Sequence, residues 1–194
     1  MFNPFFHPLR HALLNDGKKL GGIESAIKFF HRSGGSFVAD ETYHDYTIPE
    51  VDLDFAVIFD LGFSTNWNNA RALTQKILLN STTARAAAGG SITTNSLCPR
   101  FSVVEFDHFL INSMQHITPV FAAGEGVQEE TILPVDVNKT QIIPAGWYVD
   151  SDTYYVNGYN VQFYCTDSTT LGMWRANTVG YDALYMSVFL LEWK

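Results

Sequence analysis

Little in this chain carries charge, and less of it is positive. Asp, Glu, Lys and Arg make up 16% of 194 residues, against about a quarter in an average globular domain. Twenty acids against 12 bases leave a net charge of −8, which removes the basic field that phosphate-driven nucleic-acid binding needs. Cysteine is scarcer still. Cys98 and Cys165 cannot build a disulfide framework or a four-thiolate zinc site, and each reads as a small apolar packing group. No run of 18 apolar residues occurs, so no helical membrane span is expected. The start, MFNPFFHPLRHALLNDGKK, is interrupted by Pro4, His7, Pro8 and Arg10 where a signal peptide needs an unbroken apolar core, so synthesis in a cytoplasm is the expectation.

What fills the space is apolar and aromatic. Hydrophobic residues reach 46% and aromatics 14%, with Ser, Thr, Asn and Gly supplying most of the polar cover, a mixture that suits strands, turns and packed assemblies. The length allows one sizeable core or two small ones.

The chain also repeats itself. FVADETYHDYTIPEVDL (37–53) aligns without a gap on FAAGEGVQEETILPVDV (121–137), with seven of seventeen positions identical; chance would give roughly one. The same offset of 84 pairs Ile58 with Ile142 and Gly62-Phe63 with Gly146-Trp147. Three inserted residues then move the offset to 87, pairing Gln75 with Gln162, Ser81-Thr82-Thr83 with Ser168-Thr169-Thr170, and FSVVEF with VFLLEW, Glu105 over Glu192. These landmarks predict two β repeats, 37–106 and 121–194, joined by a linker over 107–120. They leave open whether the repeats pack as one pseudo-symmetric domain or as two.

Within each repeat the patterns are those of strands. DFAVIFDLGF is a continuous apolar run, as expected of a strand covered on both faces. Leu73, Gln75, Ile77 and Leu79 alternate with their neighbours at period two, and LYMSVFLLEW reads as a terminal strand tied into a sheet. Asn157-Gly158 is the best hairpin turn. Ser81-Thr82-Thr83 reads as a strand end whose hydroxyls bond nearby backbone; Asn80 and Asn138 fit a glycosylation pattern that the absent signal peptide disfavours. Asp52 and Asp136, present at matching places, read as turn residues rather than one active site.

Residues 1–36 differ in kind. PLRHALLN and GGIESAIKFFHRSGG predict short helices, the second with Ile23, Ile27 and Phe30 on one face. Together with Phe2, Phe5 and Phe6 these residues form the candidate docking surface of an N-terminal arm. The arm either covers the sheet domain or reaches into a neighbouring subunit.

Catalytic and metal chemistry is sparse. His7 and His11 have helical i, i+4 spacing, but Pro8 intervenes and no third ligand follows. Adjacent Asp and His in HDY and FDHF point to opposite strand faces. No phosphate loop, nucleophile elbow, HExxH or calcium loop is present, and no cofactor is expected. Trp67, Tyr154, Tyr155 and Tyr159, on predicted turns, offer the aromatic faces that sugar recognition uses.

ALTQKILLNSTTARAAAGG followed by PRFSVVEF resembles a β-rich repeat of tailed-bacteriophage virion structural and appendage proteins, in which a segment such as LTNSTTVTATR precedes a strand such as VSFQVVEF. The resemblance covers about residues 47–106, and 131–193 through the internal repeat, where TDSTTLGMWRAN and VFLLEW depart from the pattern. It implies a tail, fibre or capsid accessory subunit, and it brings no catalytic residues. The combined expectation is a mainly β chain of two duplicated, β-sandwich-like or jelly-roll-like repeats behind a partly helical arm. The expected function is non-enzymatic and structural, in a virion. Expected partners are copies of itself and other virion proteins; the alternative is an adhesin binding a host-surface glycan.

Overall fold

The computed structural model describes residues 27–33, 43–65, 74–88, 97–122, 126–149, 161–175 and 183–194. Among the described residues every regular element is a strand: β1 (Ile27–Ser33), β2 (Tyr43–Thr47), β3 (Ala56–Thr65), β4 (Thr74–Asn80), β5 (Thr83–Ala88), β6 (Leu97–Phe106), β7 (Ile111–Ile117), β8 (Val120–Phe121), β9 (Val127–Thr131), β10 (Thr140–Val149), β11 (Val161–Asp167), β12 (Thr170–Arg175) and β13 (Leu184–Trp193).

The mainly β expectation holds, and two local expectations do not. Ile27–Ser33, expected as part of a helix, is a strand whose residues pair in unbroken antiparallel register with β6, Ile27 opposite Phe106 and Phe30 opposite Val103. A helix this short nucleates poorly on its own, while Ile and two Phe beside an open ladder favour the extended chain. Residues 107–120, expected as a linker, contain β7, which pairs with β13. Asn157-Gly158 and Phe2, Phe5, Phe6 and Ile23 lie outside the described residues.

The pairings give three sheets, with strand orders β1-β6-β3, β2-β5-β4-β10-β13-β7 with β8 also on β13, and β11-β12-β9. Strand lengths in β2 to β6 run 5, 10, 7, 6 and 10 residues, and in β9 to β13 they run 5, 10, 7, 6 and 10 again. Irregularities match as well. The β3–β6 register shifts between Asp60 and Phe63 and the β10–β13 register between Pro144 and Trp147, with Gly62 at φ 86° and Gly146 at φ 91°. Both glycines hold a left-handed backbone that a side chain would strain.

Turn chemistry recurs at the same places. Ile48 N donates to Thr82 O and Ile132 N to Thr169 O, both at 2.9 Å; Val51 N donates to Ser81 O at 2.8 Å and Val135 N to Ser168 O at 2.9 Å. Asp52 Oδ1 accepts from Asp54 N at 3.0 Å and Asp136 Oδ1 from Asn138 N at 2.9 Å, closing the turns that launch β3 and β10. Asp52 N donates to Glu105 and Asp136 N to Glu192, at 3.1 and 3.2 Å. The two acids are thus turn residues, as their recurrence suggested.

Two cores result. One joins Tyr46, Ala84, Ala86 and Ala88 to Ala56, Ile58, Phe101 and Val103, with Phe189 and Leu191 of β13 beside them. The other gathers Phe121, Leu171, Met173, Leu184, Met186, Val188 and Leu190. β13 therefore sends alternate side chains into each core, which explains why it is buried from Leu184 to Glu192 except at Tyr185. Its position between β10 and β7 ties the C-terminal strand in on both edges.

Candidate functional site

The two halves meet where the edge strand β4 joins the edge strand β10, at one bridge between Gln75 and Gly146. Without a side chain at 146 the strands come close: a Cβ there would overlap the Thr74 carbonyl oxygen and lie 2.8 Å from Asp60 Oδ2. Gln75 reaches past, its Nε2 donating to the Met186 carbonyl on β13 at 2.5 Å. The contact is dry. Ala145 has no exposure, Thr74 3% and Gln75 8%. This burial breaks the simple alternation expected along β4, because Gln75 lies under the joint instead of on a free face. Lys76, also buried, pairs with Asp60 on β3; burial lowers the Lys76 pKa and the Asp60 carboxylate opposes that shift.

The matching surfaces on β3 and β11 have no such neighbour among the described residues. β3 pairs with β6 and β11 with β12, and among the described residues neither has a strand on its second edge. Gly62 has the backbone of Gly146 yet, among the described residues, nothing within 4 Å of a Cβ built on it. Beside it Leu61 is 50% exposed, where its counterpart Ala145 is fully buried. On β11, Gln162 is exposed where its counterpart Gln75 is buried. Exposed edges of this kind are templates for another strand.

A second surface is the outer face of β9-β12-β11. Trp174 is opposite both Gln162 and Val127, and Gly172 is opposite Tyr164 and Glu129. Trp174, Tyr164 and Val127 are all exposed. The Tyr164 ring lies over Gly172, where a Cβ would collide with ring atoms. The result is two exposed aromatics at diagonal positions of one sheet face, with Gln162 and Glu129 at register positions beside them. Tyr164 and Trp174 escaped the sequence reading because they fall in ordinary strand positions; the residues singled out there, Trp67, Tyr154, Tyr155 and Tyr159, lie outside the described residues.

One pair has the outline of a nucleophile and base. His116 Nε2 is 2.8 Å from Ser187 Oγ, and the ring stacks on Phe189 at 4.2 Å. Ser187 has no exposed surface, so a substrate carbonyl has no approach to it. Burial also holds the imidazole neutral, its pKa lowered to about 4, so the bond serves packing between β7 and β13. At the other end of this sheet Arg85 forks onto both Asp45 oxygens at 2.7 and 2.9 Å and covers the Tyr43 ring at 3.9 Å. Its hydrogen bond holds the Asp45 carboxyl below its ordinary pKa. Among the described residues no cluster of three His, Cys, Asp or Glu side chains could hold a metal ion, and His7 and His11 lie outside them. Cys98 and Cys165 form no disulfide, and both are half-buried.

The chain matches no known protein-family model, no curated protein and no solved structure.

Proposed function

We propose that this chain is a non-enzymatic structural subunit of a tailed-phage virion, built from two copies of one β-sandwich unit and assembling with copies of itself. The observation that supports this reading best is the recurrence of the same strand lengths, bulges and turn bonds in both halves. Duplicated units joined edge to edge suit a subunit that tiles against its neighbours, and the low charge and high aromatic content suit surfaces that become buried. The region resembling phage structural repeats contains β3 to β6. Residues 1–26, with Phe2, Phe5, Phe6 and Ile23, supply the docking segment, while Ile27 and Phe30 belong to the β1 ladder instead.

Antibody raised against the purified chain and detected on electron micrographs of phage particles tests the reading. Label at a fixed position on head, neck or tail supports it; particles that contain no such chain by immunoblot contradict it.

A second reading is favoured by the exposed Trp174 and Tyr164 at diagonal positions of one sheet face: a host-surface glycan stacks on these rings with Gln162 and Glu129 at the margin. Glycan-array binding that disappears in Trp174→Ala and Tyr164→Ala supports this reading, and an array with no signal for the parent chain removes it.

A further inference from the structure

We infer that successive copies of this chain join head to tail, the β11 edge of one copy pairing with the β3 edge of the next through the same contact that joins β4 to β10 inside each chain. The inference rests on the proposed self-assembly and specifies its interface. Within the chain, three features make the joint. A left-handed glycine in a bulge lets the neighbouring strand approach. A glutamine on that strand bridges to it. The glutamine side chain then reaches a backbone carbonyl one strand further on. Each feature is present again on the open edges. Gly62 occupies the bulge of β3, Gln162 occupies the position of Gln75 on β11, and Pro99, paired with Phe63 as Met186 is with Trp147, presents the carbonyl for the glutamine amide.

Exposure distinguishes the used joint from the unused one. Ala145 and Gln75 are buried, whereas their counterparts Leu61 and Gln162 are exposed, and no described residue lies within 4 Å of a Cβ at Gly62. The occupant with the complementary geometry is a second copy of the chain, since β11 repeats β4 in length and in its register shift against the neighbouring strand. Because β3 and β11 are different surfaces, the contact is heterologous and generates a ring or a filament rather than an isolated two-fold dimer.

The test uses purified full-length chain in sedimentation equilibrium over a concentration series, with two variants at exposed positions. Leu61→Glu sets a carboxylate on the β3 edge, and Gln162→Glu replaces the amide donor by a carboxylate facing the Pro99 carbonyl. Each should weaken association by roughly tenfold to a hundredfold, as expected for a buried polar group left without a partner, while circular dichroism and the melting temperature of the dilute, dissociated chain remain those of the parent. Each variant keeps one intact edge, so mixing the two should produce a complex of two chains, twice 21.8 kDa, that grows no further. A parent chain that associates while both variants associate equally well overturns the edge assignment and leaves self-assembly standing. A parent chain that stays monomeric at every concentration overturns the inference, and particle labelling still decides the virion reading separately.

Discussion

Gln75 and Met186 are 111 residues apart in sequence and joined by a buried hydrogen bond, from the Gln75 side-chain amide to the Met186 carbonyl, at 2.5 Å. The bond crosses from β4 over β10 to β13, so it ties the two halves through three strands. Gly146 lets the strands approach this closely, since a Cβ there would overlap the Thr74 carbonyl oxygen next to Gln75.

The two left-handed glycines should respond unequally to substitution. Gly62→Ala meets open space and carries only backbone strain, about 1–2 kcal/mol. Gly146→Ala adds an overlap with the Thr74 carbonyl oxygen, and overpacking raises its cost to about 3–5 kcal/mol. Urea unfolding of the dilute chain measures both; equal losses would show that β4 does not press on Gly146.

Lys76 and Asp60 should also be unequal. Lys76 is fully buried, whereas the Asp60 side chain keeps 25% of its exposure and a second bond from Gly62 N at 2.7 Å. Asp60→Asn strands a buried ammonium and should cost about 3 kcal/mol or more. Lys76→Met leaves a partly hydrated carboxylate and should cost about 1 kcal/mol or less. In the second half Phe163 and Pro144 hold these two positions, so the ion pair does not recur there. Denaturant midpoints in the reverse order would refute this account.

Much of the strand framework was legible in the sequence, for physical reasons that differ by element. Ala56, Val57 and Ile58 are wholly buried because β3 is covered on both faces, and the continuous apolar run announced it. The Ser81-Thr82 and Ser168-Thr169 landmarks lie in the turns linking β4 to β5 and β11 to β12, where their carbonyls accept from Val51, Ile48, Val135 and Ile132. β1 was misread because Ile23, Ile27 and Phe30 fit helical spacing, and nothing local reveals that β6 offers a free edge. The joint was illegible for a related reason: Gln75 and Gln162 are identical in type, and only tertiary structure decides which is buried. The His116–Ser187 bond spans 71 residues and leaves no local signature.

Acid should weaken the fold partly through His116. Its pKa falls to about 4 when folded and stands near 6.5 when unfolded, so the unfolded chain binds more protons between these values. Stability is therefore lost as pH falls from 6.5 to 4, by about 1–3 kcal/mol once the solvent reaching the half-buried ring is allowed for. His116→Phe should remove that segment of the pH profile and leave the carboxylate-dependent loss below it. Parallel profiles for parent and variant over this window would contradict the assignment.

Glu192 is buried and accepts from Ser113 Oγ at 2.7 Å and Asp136 N at 3.2 Å. The Ser113 bond leads the effects that hold its carboxyl below the ordinary range. Glu192→Ala should cost about 2–3 kcal/mol at neutral pH. The deficit should shrink as pH falls below about 4.5, where protonation removes the same stabilisation from the parent chain. A pH-independent deficit would mean that packing, not the carboxylate, stabilises this turn.

Hydrogen–deuterium exchange at low and high protein concentration tests the shared edge geometry most directly. Amides of β4 and β10 should exchange slowly at both concentrations, and those on the outer edges of β3 and β11 should become slow only at the high one. Unchanged exchange along β3 and β11, with protection gained on some other surface as the chain associates, would contradict the account.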